Sequence, residues 1–233
     1  MTSIIVRNLM KEYGSGSNKV IANKNINFEI NDGEFVVILG PSGAGKSTLL
    51  NILGGMDFAT SGLVKIFGKD ITKFNDKQLT KYRRETIGFV FQFYNLIPNL
   101  TVLENVELTT QIVDNSKDAL DILKLVGLES RKNNFPSQIS GGEQQRVSIA
   151  RAIAKNPKIL LCDEPTGALD HNTGKVILKT LQEYCRNDNK IVIVITHNSK
   201  IAEIADKVIE IYDSSVRKIT INNNPKEINE VEW

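Results

Sequence analysis

Hydrophobic positions along the chain fall into two regimes. Asn25-Ile26-Asn27-Phe28-Glu29-Ile30 alternates polar and apolar side chains with period two, as a strand with one buried face does, and Asn31-Asp32-Gly33 then makes a turn. Leu63–Phe67 is a second such run, bracketed by Gly62 and Gly68. Between them Glu34–Leu39 is nearly continuous in apolar residues, which predicts a strand buried on both faces, as in a parallel sheet. From about Thr101 to Asn156 the period becomes helical. Thr101 and Glu104 form a T-x-x-E capping box after Pro98, and Leu120, Leu123 and Val126 recur at helical spacing until Gly127 stops the run. Two more buried-strand runs, Lys158–Asp163 and Lys190–Thr196, flank a helix expected to hold Val176, Ile177, Leu181 and Tyr184 on one side. Strand, helix, strand with β-branched runs predicts right-handed βαβ units and a parallel sheet. The helical stretch then reads as an insertion between the early and late strands of one α/β core. The tail from Asp213 is polar and Asn-rich, with little core-forming content, and no internal repeat is present.

Composition narrows the class. The 233 residues allow one large domain or two small ones, and 41% hydrophobic with 24% charged residues excludes wholesale disorder. With 29 Lys+Arg against 27 Asp+Glu, the net charge of +2 gives no reason to expect nucleic acid as a partner. Cys162 and Cys185 are too few for a disulfide framework and suit a reducing compartment, and two histidines, His171 and His197, argue against a His-based metal site. No signal peptide is evident at the N-terminus, and the longest apolar runs fall far short of the roughly 20 residues a membrane span needs. A soluble, cytoplasmic chain is the expectation, with any membrane part supplied by another chain.

Gly40-Pro41-Ser42-Gly43-Ala44-Gly45-Lys46-Ser47 fits G-x-x-x-x-G-K-[ST] directly after a buried strand and before the helical run that opens at Thr48. Glycines let backbone N–H groups curl around phosphate oxygens, and a helix N-terminus adds partial positive charge. Lys46 would reach the β- and γ-phosphates and the Ser47 hydroxyl would coordinate Mg²⁺. The motif predicts a nucleoside triphosphate site. Ile159–Cys162 then leads into Asp163 and Glu164, and a buried strand ending in two carboxylates is costly unless a cation or proton acts there. Asp163 is expected to hold Mg²⁺ through water and Glu164 to accept a proton from the attacking water.

A third element decides between classes of phosphate-loop protein. Ile139-Ser140-Gly141-Gly142-Glu143-Gln144-Gln145-Arg146 precedes a helical run. Ser140 and Glu143 make an S-x-x-E capping box, which starts a helix in any protein. It leaves Gly141-Gly142 unexplained, since glycine in a first turn costs about 1 kcal/mol against alanine. Together with Gln92, Gly167-Ala168-Leu169-Asp170 and His197, the set resembles the nucleotide-binding subunit of an ATP-binding cassette (ABC) transporter, from about residue 2 to residue 212.

The resemblance implies a P-loop NTPase core of mostly parallel sheet, an antiparallel N-terminal β-subdomain and an inserted α-helical subdomain. Residues 1–91 and 158–212 would form the core with the β-subdomain, 92–157 the helical subdomain and 213–233 a polar tail. It implies ATP and Mg²⁺ as cofactors and an ATP-dependent homodimer, in which Ser140, Gly141 and Gly142 contact ATP on the other subunit's phosphate loop. Gln92 would contact Mg²⁺ or the attacking water, and His197 the γ-phosphate. Tyr13 would stack on adenine, and Asp170 would sit at the dimer seam. A carboxylate beside phosphate is unfavourable, so the Glu143 side chain is expected to stay off ATP. His171 matches no family role and is expected to be solvated.

Arg83–Gln92, continuing through Asn95–Pro98 and Leu100–Val106, is similar to the ATPases of lipoprotein-release, macrolide-export and bacitracin-type peptide systems. That likeness implies a bacterial or archaeal origin and a peripheral place on the inner face of the cell membrane. It also implies a permease with few spans and a large extracytoplasmic domain, docked near Phe93–Leu108. Three other readings stay open at this point: a cell-division ATPase whose permease-like partner regulates a cell-wall hydrolase, a nutrient importer subunit, and a non-transport ABC ATPase. The short tail weighs against the importer variety with an extra β-domain, and a single cassette without a coiled-coil insertion weighs against the last. The substrate is not encoded in any of these motifs, nor is a role for Trp233.

Overall fold

The computed structural model describes residues 1–167 and 169–231, so Ala168 of the Gly167–Asp170 stretch and Trp233 lie outside the described residues. Four strands form an antiparallel sheet: β1 (Thr2–Tyr13), β2 (Val20–Asn31), β4 (Ser61–Ile66) and the short β5 (Lys69–Asp70), in the order β2-β1-β4-β5. β1 has no clean period-two signature in the sequence. Its register shifts between Val6 and Leu9, where Asn8 takes a left-handed φ of +48°, and such a bulge moves later side chains to the other face.

The second sheet has six strands in the order β10-β9-β3-β8-β7-β6. β3 (Phe35–Leu39), β6 (Ile87–Val90), β7 (Ile159–Asp163), β8 (Ile191–Thr196) and β9 (Lys207–Tyr212) run parallel, and β10 (Ser215–Ile221) closes the edge antiparallel to β9. β3 is buried on both faces as its apolar run requires. Phe35 and Val37 enter a core shared with the helices, while Val36 and Ile38 enter a second core under the antiparallel sheet. Each such side chain contributes about 1.5–3 kcal/mol of burial.

Helix α1 (Lys46–Leu53) follows β3 and buries Leu49, Leu50, Ile52 and Leu53 against the second core. Helix α2 (Asp76–Glu85) leads into β6. The inserted helices are α3 (Val102–Thr110), α4 (Ala119–Leu125) and α5 (Gly141–Ala154). Thr101 and Glu104 form the expected capping box of α3, and Gly127, φ +70°, ends the α4 segment. Helix α6 (His171–Asn187) joins β7 to β8. Its inner face differs from expectation: Val176 is 48% exposed, whereas Ile177, Leu178, Leu181, Tyr184 and Cys185 are buried. Those positions follow the i, i+1, i+4, i+7, i+8 pattern of one helical stripe, and Val176 lies off it.

The tail also departs from its polar reading. β10 extends the sheet, and beyond it Ile228 and Val231, each 1% exposed, complete the core shared with α6. The Gln182 side chain fixes this segment, donating to Lys226 O at 3.0 Å and accepting from Ile228 N at 3.4 Å. Two apolar residues among many polar ones carry no periodic signal, so only their docking reveals them. No helix among the described residues is long and apolar enough to cross a membrane.

Candidate active site

The phosphate loop runs from the end of β3 into α1. Gly43 at φ +80° and Gly45 at φ +93° hold left-handed backbone that side-chain-bearing residues avoid, and this turns the loop around a concave row of amides. Gly45 is the N-cap of α1 and brings no side chain to its first N–H groups, which remain available to an anion. Pro41, Ser42, Gly43 and Ser47 are exposed, and Ala44 is buried beneath them. Lys46 is 7% exposed, and its Nζ donates to Gly40 O at 2.8 Å and Pro41 O at 2.9 Å. No carboxylate among the described residues forms an ion pair with it; its direct partners are carbonyl dipoles, and the Asp163 charge acts on it from a longer range. A buried, unpaired ammonium inside a ring of amide donors is a receptor for anionic oxygen.

β7 delivers the two carboxylates, and β7 and β8 are neighbours in the sheet with Asp163 opposite Ile195. Ser47 Oγ lies 3.4 Å from Asp163 Oδ1, which joins the phosphate-loop helix to the end of β7. Burial pushes the Asp163 carboxyl above its ordinary value; the Ser47 hydrogen bond opposes this and the Glu164 charge reinforces it. β7 ends at Asp163, and Glu164 then takes a left-handed φ of +45°, held by its N–H donating to Ile195 O at 3.0 Å. A non-glycine residue in that region costs about 1–3 kcal/mol, and the kink turns Glu164 away from the direction of Asp163. Glu164 Oε1 meets His197 Nδ1 at 3.0 Å, with Glu164 largely covered and His197 open to solvent. Glu164, Asp170, Thr196 and His197 line one cavity of about 240 Å³. His171, expected to be solvated without a role, opens α6 and lines the same cavity.

Tyr13 ends β1 with its residue 43% exposed. Its hydroxyl donates to Asp57 Oδ2 at 2.5 Å, and the Lys11 ammonium lies 4.6 Å from the ring centroid on one face. Its phenol is raised by burial first and by the Asp57 bond second, with Thr48 of the phosphate-loop helix opposing. Asp57 has no signal in the sequence as a site residue; it is 44 positions from Tyr13 and meets it only through the fold.

Ser140 caps α5, accepting from Glu143 N, and Glu143 Oε2 accepts from Ser140 N at 2.8 Å. Glu143 also accepts from Arg131 Nε at 3.0 Å, and these partners hold its carboxyl below the usual range, the Ser140 amide most strongly. Its side chain is therefore spent on the cap, as expected. Gly142 has a reason within this one chain: a Cβ there would meet Thr173 Cγ2 of α6 at 2.6 Å. Asp170 caps α6, accepting from Thr173 N at 3.0 Å and from its hydroxyl at 2.6 Å. Gln92 is exposed two residues past β6. Among the described residues no hydrogen bond joins Gln92 to Ser47 or Asp163, nor Ser140–Gly142 to the phosphate loop. The chain thus assembles Lys46, Ser47, Asp163, Glu164 and His197 around one end of the sheet, and Gln92 follows β6 at that same end, beside β7, without a hydrogen bond to them.

The family profile for ABC transporters matches residues 23–167, which include the phosphate loop, the start of α5 and both carboxylates. The chain belongs to the ABC transporter family. Its fold is that of an ATP-binding cassette. It is 42% identical over 233 residues to an ABC transporter ATP-binding protein of Mycoplasma genitalium, a match covering 99% of this chain and 50% of that protein. This cassette therefore spans about half the length of the Mycoplasma relatives it matches. It is 42% identical over 222 residues to the lipoprotein-releasing system ATP-binding protein LolD of Geobacter metallireducens, covering 93% of this chain and 99% of that one. Its fold matches the dimeric post-hydrolysis structure of the ATP-binding cassette MJ0796 bound to ADP and Pi, with TM-score 0.87 and 44% identity. That match covers 94% of this chain and 98% of that one, and the protein is from Methanocaldococcus jannaschii.

Proposed function

We propose that this cassette hydrolyses ATP with Mg²⁺ as a head-to-tail homodimer and thereby drives a membrane permease of the lipoprotein-release and macrolide-export type. The observation that carries the reading is the convergence of a phosphate loop, the Ser47–Asp163 pair and the Glu164–His197 pair at the carboxyl ends of adjacent strands. In open α/β sheets that edge is where ligands bind.

ATP is the substrate of the loop. Lys46 would exchange its carbonyl partners for β- and γ-phosphate oxygens, and the N–H groups between Gly43 and Thr48 other than that of Ala44, which donates to Pro41 O, would complete the cradle. The donor set fits Mg²⁺: a hydroxyl and a carboxylate are hard oxygen ligands, and Asp163 is a carboxylate whose ionisation the fold disfavours until a cation arrives. Ser47 and Asp163 would hold the ion, with Gln92 as a further ligand once it moves toward them, and the ion supplies neutralisation of phosphate charge.

Glu164 is the proton acceptor for water attacking the γ-phosphate. His197, with Nδ1–H donating to Oε1, fixes the carboxylate's orientation and offers its remaining nitrogen to the phosphate. Tyr13 offers the ring face opposite Lys11 to adenine, a contact worth about 1–3 kcal/mol. The α5 N-terminus, Ser140–Gly142, is separate from its own loop, so it is placed to cap the ATP of a second copy. Such a dimer is isologous and encloses two nucleotides, with each Asp170 at the seam. The domain limits proposed are 1–91 and 158–212 for the core and 92–157 for the helical part. Phe93, 78% exposed, and Ile97 supply an apolar face after Gln92 for a permease with few spans and a large extracytoplasmic domain. The cassette would then sit peripherally on the cytoplasmic face of the membrane.

The test is a tagged pull-down from detergent-solubilised native membranes with Mg²⁺-ATP. Co-purification of an identified membrane protein with few spans and a large external domain is the expected result. Recovery of soluble proteins alone would overturn the permease assignment while leaving the ATPase chemistry standing.

A further inference from the structure

At the amino ends of the parallel strands, away from the nucleotide site, two cavities of about 420 and 370 Å³ adjoin and share Glu85 and Lys158. Six cations line them: Lys69, Lys81, Arg84, Lys155, Lys158 and Lys190; their carboxylates are Glu85 and Asp114. Glu85 is taken up by Lys81 at 3.9 Å and Arg84 at 3.4 Å. Lys69, Lys155, Lys158 and Lys190 form no ion pair among the described residues. In a chain of net charge +2, an excess of four positive charges along one cleft is a local feature rather than a reflection of composition.

The fold builds this concentration. Lys158 immediately precedes β7 and Lys190 immediately precedes β8, while Lys155 is the C-cap of α5. The Lys158 and Ile159 amides both donate to Thr86 O at 3.0 Å, which closes the β6 and β7 ends around the cleft. Lys158 Nζ sits 5.2 Å from the Phe67 ring centroid, so one wall is aromatic. Lys155 Nζ donates to Arg83 O at 2.6 Å and has no anionic partner. Its ammonium is pushed down to about 8, by burial first and by the Arg83 charge second. Lys190 is also lowered, by burial first, with the Lys117 and Lys158 charges adding to it and Asp188 opposing.

We propose that this cleft is a binding site for a small anion carrying two or more phosphate groups. Four unpaired cations in so small a space call for several negative charges on a compact ligand, and phosphate supplies up to two charges and three acceptor oxygens per group. The cavity sizes suit a small molecule. The site is separate from the phosphate loop: five residues of β7 place Lys158 roughly 16 Å from Asp163.

The probe is inorganic tripolyphosphate, added at low ionic strength to the full chain with its nucleotide site saturated by ADP in excess Mg²⁺. Amine acylation read by mass spectrometry reports each lysine, and the lowered Lys155 ammonium supplies more free amine than an ordinary lysine does. Acylation of Lys155, Lys158 and Lys190 should fall at least fivefold while exposed Lys24 and Lys179 stay unchanged. The Lys158→Gln/Lys190→Gln variant should keep its ADP affinity and lose protection of Lys155. Parallel arms with vesicles of phosphatidylcholine, with and without cardiolipin, whose headgroup carries two phosphates, separate a lipid headgroup from a soluble phosphate; selective protection in either arm supports the site and names its source. Protection spread equally over all exposed lysines, or none with either probe, would overturn the proposal.

Discussion

His197 Nδ1 lies 3.0 Å from Glu164 Oε1, a contact that joins the ends of two neighbouring strands and unites residues 33 positions apart. For the bond to a carboxylate to form, Nδ1 must carry the proton, so the pairing selects the ring tautomer as well as the carboxylate rotamer. Glu164→Gln removes the proton acceptor but keeps the shape and a hydrogen-bonding oxygen. The variant should bind ATP, hydrolyse it about 10²–10⁴ times more slowly and accumulate as a dimer. Steady-state phosphate release and size-exclusion chromatography with Mg²⁺-ATP check this, and normal turnover would remove Glu164 from the mechanism.

Lys46 Nζ is held by Gly40 O and Pro41 O and has no ion pair among the described residues. Lys46→Ala deletes charge-assisted bonds worth about 1.5–3 kcal/mol, so the nucleotide Kd should rise roughly 10- to 150-fold and dimerisation should fail. A fluorescent-nucleotide titration measures the first and chromatography the second; unchanged affinity would count against the loop assignment.

The contact between Gly142 and Thr173 separates packing from ligand binding. Gly142→Ala drives a methyl group into Thr173 Cγ2, which should cost about 1–3 kcal/mol of stability. Thr173→Ser removes that methyl while keeping the hydroxyl that bonds Asp170, so Gly142→Ala/Thr173→Ser should recover most of the loss. Urea unfolding of the four proteins completes the cycle. No recovery would show that Thr173 is not what excludes a side chain at this glycine.

Asp163 gives a pH-dependent signature. Burial raises its pKa in the fold above the unfolded value, so the folded chain holds this proton more tightly. The associated stability is fully present below the unfolded pKa and is lost as pH rises through the folded one; at neutral pH the ionised carboxylate is a cost to the empty fold. Asp163→Asn should therefore raise the Tm of the nucleotide-free, Mg²⁺-free protein at pH 7, with a gain that shrinks toward pH 4, while abolishing ATP hydrolysis. Thermal unfolding at both pH values decides it: a gain independent of pH would rule out the charge as its source.

Ile228 tests the docked tail. At 1% exposure in the core beside α6, its truncation to alanine should cost about 2–5 kcal/mol, far more than a residue on a solvated tail would. Denaturant unfolding of Ile228→Ala measures it, and a change below 0.5 kcal/mol would show the tail to be energetically detached.

The family was legible in the sequence because its motifs depend on local order. A glycine-rich turn between a buried strand and a helix, an S-x-x-E cap and a strand ending in two acids are each set by short-range backbone rules, and β3, β7, β8, α3 and α5 stand where those rules place them. Tertiary structure decided what depends on distant partners. It set Glu164 against His197, Tyr13 on Asp57 and Gly142 against Thr173, and it buried Ile228 and Val231 from an otherwise polar tail. It also turned the buried stripe of α6 away from Val176 and gathered cations from α2, α5 and the starts of β7 and β8 into one cleft. None of these contacts has a period in the sequence, because each joins residues that only the ordering of strands and the packing of helices brings within a few ångströms.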